Sequence, residues 1–299
     1  MSLADNSLNF IAGKLLALKF QLPEIPVLQP IASDDSLGGS FLWRWGTDRV
    51  LRATSFQKVR NECLNLSWDL LHVCQNILGI PRKAHPRPAW EFEGYHWTLL
   101  DWLPGEPWNP WEQNVSNFFE NATALLGMIH ERSRSALGVT TGLLPCVIRR
   151  RELAASLPGW LGRFQLEREP PEVVTKLAAC LENRVNEFTR LAGILPGSGP
   201  LIVVHGDARP SNFIVGPRNA MGLTDFNNCR VDHPTSDLAR LLSGLPGIPG
   251  ADALTVDLAR TNRWGSMAQW LDQWLEWRSM NKPIEKRINE LVKLDWLDK

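Results

Sequence analysis

The sequence predicts an α+β protein of two lobes, a small lobe built on an antiparallel sheet and a larger, mainly helical lobe. Three observations support this prediction. Short strand-like runs and one helical stripe fill the chain up to residue 103. A Pro- and Gly-rich stretch, "PGEPWNPW", follows and is the clearest boundary in the sequence. Helical periodicity then dominates, so we assign the lobes to residues 1–103 and 104–299.

The first lobe contains three strand-like runs and one helix. Residues 36–53, "SLGGSFLWRWGTDRVLRA", predict a glycine turn followed by two strands around a Gly-Thr-Asp reversal. Residues 96–103, "HWTLLDWL", predict a further strand. Between them, from Ser55 onwards, apolar residues recur at steps of three and four, which predicts one buried helical face. This stripe consists of Val59, Cys63, Leu66, Leu70, Val73 and Ile77.

The second lobe opens with helical stripes and then carries a short sheet. "LIVVHGD", "NFIVG" and "MGLTDF" read as three short strands joined by turns, and "SDLARLLSG" begins a further helix. The two helical stripes consist of Val115, Phe118, Phe119, Ala122, Leu125 and Ile129, and of Val174, Leu177, Leu181, Val185, Phe188 and Leu195. Trp270, Trp274 and Trp277 also fall at helical spacing, which favours core packing over an aromatic pocket for a cationic acceptor.

Composition restricts the partners and the compartment. Lys plus Arg and Asp plus Glu both number 32, so no polybasic surplus indicates nucleic acid or an anionic membrane as a partner. The five cysteines are widely spaced and include no Cys-x-x-Cys pair, which argues against a disulfide framework or a zinc site. The chain shows no signal peptide and no apolar run long enough to span a bilayer. We therefore expect a soluble cytoplasmic protein with no nucleic-acid or membrane partner.

The stretch "VHGDARPSNFIV" concentrates chemistry between two strand-like runs. It places a carboxylate, a cation and an amide, at Asp207, Arg209 and Asn212, within six positions. Further along, "TDFNN" supplies a second carboxylate, Asp225, which a hairpin over "FIVGPRNAMGLT" would fold back beside Asn212. Phosphoryl transfer requires a metal held by oxygen ligands and a carboxylate directed at the nucleophile, and Mg²⁺ needs only one or two protein oxygens. The spacing therefore indicates a phosphotransferase.

"HGDARPSN", "TDFNN" and "DHPTSDLARLL" together resemble the aminoglycoside phosphotransferase and choline kinase family, which is related to the protein kinases. The resemblance implies a bilobal protein-kinase-like fold with ATP and Mg²⁺ as cofactors. It implies that Asp207 is the catalytic base, that Asn212 and Asp225 bind the metal, and that Asp237 braces the catalytic loop. Arg209 stands where protein kinases place a lysine that touches the transferred phosphate, so we count it with the catalytic residues.

The resemblance also extends to a cation in the first lobe. Arg52, in "VLRA", stands at the position of the family's strand lysine, and a guanidinium pairs well with phosphates. Glu62, on the shoulder of the first helical stripe, is placed to pair with Arg52. A surface ion pair between the two remains the alternative interpretation.

Two further parts of the first lobe match the family. Gly38 and Gly39 would form the turn over the phosphates, although an ordinary hairpin is equally compatible with them. "LLDWLPGEP" resembles the hinge, where the backbone of Asp101 to Leu103 would contact the adenine. Asn227 replaces the usual glycine after Asp-Phe, and we expect it to tolerate left-handed backbone angles there.

The sequence therefore predicts an ATP- and Mg²⁺-dependent phosphotransferase that moves the γ-phosphate to a hydroxyl of a small molecule, including amine-bearing sugars and alcohols. The short run between Asp225 and Pro234 leaves no activation segment for a protein substrate, which favours a small acceptor. The alternative is a catalytically silent pseudokinase that binds a nucleotide or a partner as a scaffold. A metal-dependent hydrolase would need more ligands at short spacing. The acceptor, the choice between ATP and GTP, and the oligomeric state stay open.

Overall fold

The structure is a computed structural model. It describes residues 3–31, 40–55, 61–83, 89–109, 115–217, 220–245, 252–278 and 282–297. In this part of the chain it contains an antiparallel sheet followed by a set of helices with two small sheets between them.

A five-stranded antiparallel sheet forms the first lobe, with its strands in the order β1-β2-β3-β5-β4. The predicted reversal joins β2 to β3, and β3 pairs along its whole length with β5. The strands are β1 (Gln29–Ile31), β2 (Ser40–Trp45), β3 (Arg49–Ser55), β4 (Trp90–Phe92) and β5 (Tyr95–Asp101).

Helix α1 (Leu3–Phe20) covers one face of this sheet, and the sequence analysis did not anticipate it. It buries one row of side chains against the sheet residues Leu51, Trp97 and Leu99. Phe10 and Leu18 remain 53% and 69% exposed on its other sides. Because apolar residues occur on every side of α1, its period is weak, and the pattern of the sequence alone could not assign it. The buried row consists of Leu8, Ala12, Leu15 and Leu16.

Helix α2 spans Asn61–Val73 and is shorter than the predicted stripe. Strand β3 extends to Ser55, and Val59, the first residue of that stripe, lies outside the described residues. At its other end α2 stops at Val73 and is followed by turns. Ile77, the last residue of the predicted stripe, lies in these turns, where its N–H donates to the carbonyl of Cys74 at 2.8 Å. The buried side of α2 packs on the core of the second lobe, and α2 therefore connects the two lobes.

The second lobe contains six helices in the described ranges, and both predicted stripes lie on buried faces. The helices are α3 (Val115–Leu137), α4 (Pro145–Phe164), α5 (Glu172–Ile194), α6 (Thr235–Leu242), α7 (Ala253–Trp277) and α8 (Lys282–Leu297). None of the helices that the structure describes is long and apolar enough to cross a membrane.

Two three-stranded sheets lie among these helices, in the orders β10-β9-β6 and β11-β8-β7. The proposed lobe boundary falls between β5 and β6, and Gly105 in this segment has φ +133°. A Cβ at Gly105 would clash with the carbonyl of Val215, so the chain needs glycine to approach β9 this closely. The strands are β6 (Glu106–Pro107), β7 (Thr140–Leu143), β8 (Ser198–Val204), β9 (Phe213–Val215), β10 (Met221–Leu223) and β11 (Arg230–Asp232).

The second lobe has two apolar cores. A central core joins α2, α3 and α6 to the short strands, and a distal core joins α4, α5, α7 and α8. Trp274 is buried in the distal core and Trp270 packs against it, whereas Trp277 is 61% exposed. The core-packing interpretation of the tryptophan stripe is therefore correct for two of its three members.

The packing of α1 yields a stability prediction. Leu16 is fully buried, so Leu16→Ala should lower the free energy of unfolding by about 2–5 kcal/mol. Leu18→Ala, on the exposed side of the same helix, is the matched control and should change it by less than about 0.5 kcal/mol. Urea unfolding of both variants measures the difference. Equal effects would show that α1 does not pack on the sheet.

Candidate active site

The loop between β8 and β9 carries the residues that the sequence singled out. It turns at Gly206, with φ +83°, where a Cβ would clash with the carbonyl of Asn228. A short 3-10 turn at Pro210–Asn212 then leads into β9. Glycine is required at position 206 because a side chain fits neither the backbone angle nor the space.

Asp237 of α6 holds this loop in place. Its fully buried carboxylate accepts the backbone N–H of His205 at 2.9 Å and that of Gly206 at 2.8 Å. The Nε2 of His130, from α3, lies 2.9 Å from the same carboxylate. Burial raises the pKa of Asp237, but its hydrogen bonds and the nearby His130 and His205 hold the pKa below its ordinary value. The predicted bracing contact is confirmed.

The ring of His205 is fixed by hydrogen bonds at both nitrogens. Its Nδ1 lies 3.2 Å from the backbone nitrogen of Asp207, which can only donate, so Nδ1 is an acceptor. Its Nε2, 2.9 Å from the carbonyl of Thr224, therefore carries the proton. This arrangement gives His205 a structural role in the loop rather than that of a proton carrier.

Asp207, Arg209 and Asn212 form one cluster. The Nδ2 of Asn212 donates to the backbone carbonyl of Asp207 at 2.7 Å and lies 3.4 Å from its carboxylate Oδ2. The Nε of Arg209 lies 3.4 Å from the same Oδ2 and 3.3 Å from the amide oxygen of Asn212. Arg209 therefore links the carboxylate to the amide oxygen that the sequence assigns to the metal.

The predicted hairpin places Asp225 next to this cluster. Strands β9 and β10 pair with Phe213 opposite Leu223, and the N–H of Thr224 donates to the carbonyl of Asn212 at 2.9 Å. Asp225 is the next residue, so the hairpin returns it to the level of Asn212. The prediction that the hairpin brings these two residues together is confirmed.

Asp225 pairs with Arg52 across the two lobes. The Nη1 of Arg52, on β3, donates to Oδ1 of Asp225 at 2.7 Å. Burial raises the pKa of Asp225, but the charge and hydrogen bond of Arg52, with smaller contributions from His205 and Arg209, hold the pKa below its ordinary value. The carboxylate is therefore ionised at neutral pH and available to a cation.

The backbone at this point differs from the prediction. Asp225, not Asn227, has left-handed angles, with φ 64° and ψ 56°. Asn227 lies in a short 3-10 turn at Phe226–Asn228 and turns its side chain towards Arg52. With its amide oxygen facing the guanidinium, Asn227 accepts from Nη2 of Arg52 at 3.1 Å. Asn227 therefore contributes to the site through its side chain, which contacts Arg52, and not through left-handed backbone angles.

Arg52 forms an ion pair with Asp225, which the sequence did not predict. Glu62, its predicted partner, lies exposed in the first turn of α2, and a pairing with Arg52 stays a prediction. Gly38 and Gly39, the predicted phosphate turn, lie outside the described residues.

Two backbone N–H groups of the predicted hinge already form hydrogen bonds within the protein. The backbone N–H of Asp101 donates to the carbonyl of Arg82 at 3.0 Å, and the N–H of Trp102 donates to that of Asp48 at 2.8 Å. The Asp101 carboxylate pairs with Arg49 at 2.5 Å. A bound base would therefore have to use the N–H of Leu103 or a carbonyl oxygen of the segment.

Arg240 is a site residue that the sequence analysis missed. It lies on α6, three residues after Asp237 and on the same side of the helix. Its Nε donates to Oδ1 of Asp207 at 2.8 Å. The only signal in the sequence is a lone cation in the otherwise apolar run "LARLL".

The oxygens gathered here suit a magnesium ion. The Nδ2 of Asn212 is held by the backbone of Asp207, its amide oxygen accepts from Nε of Arg209 at 3.3 Å, and the hairpin brings the ionised carboxylate of Asp225 to the same level. Mg²⁺ binds oxygen ligands and commonly takes one or two from the protein and the others from phosphates and water. Among the described residues, no group of three or more His, Cys, Asp or Glu could hold a metal alone.

The two-lobed fold, with Asp207 and Asp225 in one lobe and Arg52 of the other lobe paired with Asp225, is that of a kinase-like phosphotransferase. Within this class, the chain belongs to the phosphotransferase enzyme family (APH), whose model matches residues 75–275, well over half of the chain. The family resemblance drawn from the sequence is thereby confirmed. No curated protein matches the chain.

Solved structures with the same fold confirm the protein-kinase-like architecture. A spectinomycin phosphotransferase in complex with ADP and spectinomycin has a TM-score of 0.65 at 14% identity, covering 95% of this chain and 96% of its own. The GDP complex of an aminoglycoside 2'-phosphotransferase has a TM-score of 0.60 at 15% identity, with 96% and 98% covered. A choline kinase from Streptococcus pneumoniae has a TM-score of 0.53 at 14% identity, with 95% and 98% covered.

The brace at Asp237 can be tested through stability. Asp237→Ala leaves two buried backbone N–H groups and His130 without their acceptor, so the free energy of unfolding should fall by about 3 kcal/mol or more. Asp69→Ala, an exposed carboxylate on α2, is the control and should change it little. Urea unfolding at pH 7 makes the comparison, and two equally stable variants would contradict the role of the brace.

The stabilisation that Asp237 provides should also depend on pH. Because folding lowers the pKa of Asp237, its stabilisation is fully present above the pKa of an unfolded Asp, about 3.9. It is lost as pH falls from there through the lower pKa of the folded state. The gap in stability between wild type and Asp237→Ala should therefore narrow below about pH 4.

Proposed function

We propose that the protein transfers the γ-phosphate of ATP, with Mg²⁺, to a hydroxyl of a small molecule in the cytoplasm. The observation that carries this proposal is the convergence of Asp207, Asn212 and Asp225 on one loop and hairpin, facing Arg52 of the other lobe. Family membership supports the reaction class, and the ADP and GDP complexes of similar structures support a nucleotide as the donor. All five cysteines are thiols, which agrees with a reducing compartment.

One group of residues would act on the acceptor and another on the metal and the phosphates. Asp207, which Arg209 and Arg240 hold from either side, would orient the acceptor hydroxyl and accept its proton. Asn212 and Asp225 would hold the metal, which when bound neutralises charge on the phosphates. Arg52 would bring its guanidinium to the phosphates from the first lobe, since its forked donors match phosphate oxygens.

A small acceptor is supported by the segment after Asp225. Strand β11 follows almost at once and pairs with β8, with Arg230 opposite Val204. The side chain of Arg230 also donates to the carbonyl of Gly206 at 2.6 Å. This segment is therefore part of the sheet under the catalytic loop and presents no long surface on which a protein substrate could dock.

A second candidate, a nucleotide-binding scaffold without catalysis, is favoured by one observation. Arg52 already neutralises Asp225, the carboxylate that a metal would use. A scaffold, however, has no need for Asp207, Asn212 and Asp225 together. Slow ATP hydrolysis in the absence of an acceptor separates the two functions, because only the enzyme should show it.

The first catalytic test removes the proposed base. Asp207→Asn keeps the size of the side chain but cannot accept a proton, so the kcat of acceptor phosphorylation or of slow ATP hydrolysis should fall by about 10²–10⁴-fold. Nucleotide affinity, measured by calorimetry, should change little. Asp69→Asn is the matched control and should retain full turnover. Unchanged turnover in Asp207→Asn would remove Asp207 from the role of base.

The second test concerns the metal. Asp225→Asn removes the ionised ligand, so nucleotide binding in the presence of Mg²⁺ should weaken by about tenfold or more. Binding in EDTA should be equal to that of the wild type or tighter, because the variant lacks a negative charge beside the phosphates. Calorimetry with and without Mg²⁺ gives both values. A loss of affinity that is the same in both conditions would argue against a metal role for Asp225.

A further inference from the structure

The two carboxylate oxygens of Asp207 face different sides of the site. Oδ2 lies 3.4 Å from Arg209, which also contacts the amide oxygen of Asn212 on the proposed metal side. Oδ1 lies 2.8 Å from Nε of Arg240, whose Nη1 is 3.4 Å from Oγ of Ser266 on α7. Arg240 is therefore on the helical side of Asp207, away from the proposed phosphate site. An acceptor must approach Asp207 from that side.

Arg150 of α4 lies beside the same part of α7. Its Nη1 rests against Gly265, where a Cβ would come within 2.6 Å of it. Its Nε is buried and has no hydrogen-bond partner among the described residues. A buried guanidinium nitrogen without an acceptor is unfavourable, and such groups are kept where a ligand supplies the acceptor.

The charges around Arg150 are unbalanced. Burial first, and then repulsion from Arg240 and Arg230, lower the pKa of Arg150 to about 9, so it is still charged at neutral pH. Arg230 pairs with Asp232 at 3.0 Å and Arg240 pairs with Asp207. Arg150 has no carboxylate partner in the described part of the chain. Arg150 therefore adds a positive charge close to Arg240 that no carboxylate of the described residues balances, and an anion would be stabilised there.

The same two helices, α4 and α7, also border a groove of about 200 Å³. Gln269, which follows Ser266 by about one turn of α7, lies on its wall. The groove is lined by Arg149, Glu152, Leu153, Ser156 and Trp160 of α4 and by Gln269, Asp272 and Gln273 of α7.

We propose that Arg150 and Arg240 form an anion subsite that binds a carboxylate or phosphate group of the acceptor and so places its hydroxyl at Asp207. This inference rests on the proposed function and names its substrate class: a hydroxy acid or a phosphorylated alcohol, not a polycation. Nε of Arg240 holds Asp207 and Nη1 holds Ser266, while Nη2 has no hydrogen-bond partner among the described residues. One guanidinium can therefore contact the base and the acceptor together.

The first arm of the test measures anion binding without turnover. Sulfate is titrated into protein saturated with a non-hydrolysable ATP analogue and Mg²⁺, so that the nucleotide phosphate positions are filled. The rise in melting temperature should reveal sulfate binding to wild type, and Arg150→Met should weaken it by about tenfold or more. Arg134→Met, an exposed arginine of α3 paired with Glu131, is the control and should bind sulfate like wild type. Equal binding by all three proteins would overturn the subsite.

The second arm compares acceptors. ω-Hydroxy carboxylates, their amides and the matching amino alcohols are offered with ATP, and nucleotide consumption is measured. The carboxylates should have a kcat/KM about tenfold or more above the amides, and Arg150→Met should remove this preference. A preference for the amino alcohols would overturn the proposal. So would an equal loss in Arg150→Met of acceptor-independent ATP hydrolysis, because that result assigns the arginines to the transferred phosphate.

The two arms also separate this proposal from the proposed function. If no ATP is consumed under any condition, phosphoryl transfer is wrong, and the sulfate titration still decides whether Arg150 binds an anion. Thermal unfolding shows whether Arg150→Met is folded. The variant should be at least as stable as wild type because it keeps the aliphatic stem and removes a buried repulsive charge.

Discussion

The buried carboxylate of Asp237 is the interaction on which the site depends. It joins α6 to α3 through His130 and receives the two backbone N–H groups of His205 and Gly206, at the turn that precedes Asp207. A buried carboxylate is stable only while these donors are present, and the donors are satisfied only by the carboxylate. The loop backbone is therefore fixed before any ligand binds. This is the preorganisation that electrostatic catalysis requires, since no reorganisation is then needed during the reaction.

Above this fixed loop, arginines neutralise the carboxylates of the resting site. Arg52 pairs with Asp225, and Arg209 and Arg240 pair with Asp207. Arg52 and Asn227 both depart from the family pattern, and one contact explains both departures. An arginine carries more donors than the lysine it replaces, and the amide of Asn227 reaches three of its nitrogens, at 3.1–3.3 Å. The asparagine thus orients the guanidinium that spans the lobes, a role that glycine could not perform.

Features that depend on local spacing along the chain could be predicted from the sequence. The hairpin that returns Asp225 to Asn212 follows from the short distance along the chain between two strands. The contacts that join distant segments could not be read in this way: Asp225 is 173 residues from Arg52, and Asp207 is 33 residues from Arg240. Sequence spacing suggested only a nearby partner for Arg52, Glu62, and missed the ion pair with Asp225, because a local pattern has no access to packing between lobes. Likewise, the left-handed angle falls on Asp225 rather than Asn227, and both residue types tolerate it, so local preference alone could not choose between them.

The proposed phosphoryl-transfer site and the proposed acceptor groove lie against different cores of the second lobe. The strands next to Asn212 and Asp225 pack in the central core, whereas α5 and α8 pack in the distal one. Helices α4 and α7 take part in both, and α7 does so with Leu258 in the central core and Trp264 in the distal core. Gly265 and Ser266 follow that junction directly, and there α7 contacts Arg150 through Gly265 and Arg240 through Ser266. Substitutions in the distal core can therefore reshape the acceptor groove while the loop held by Asp237 keeps its geometry.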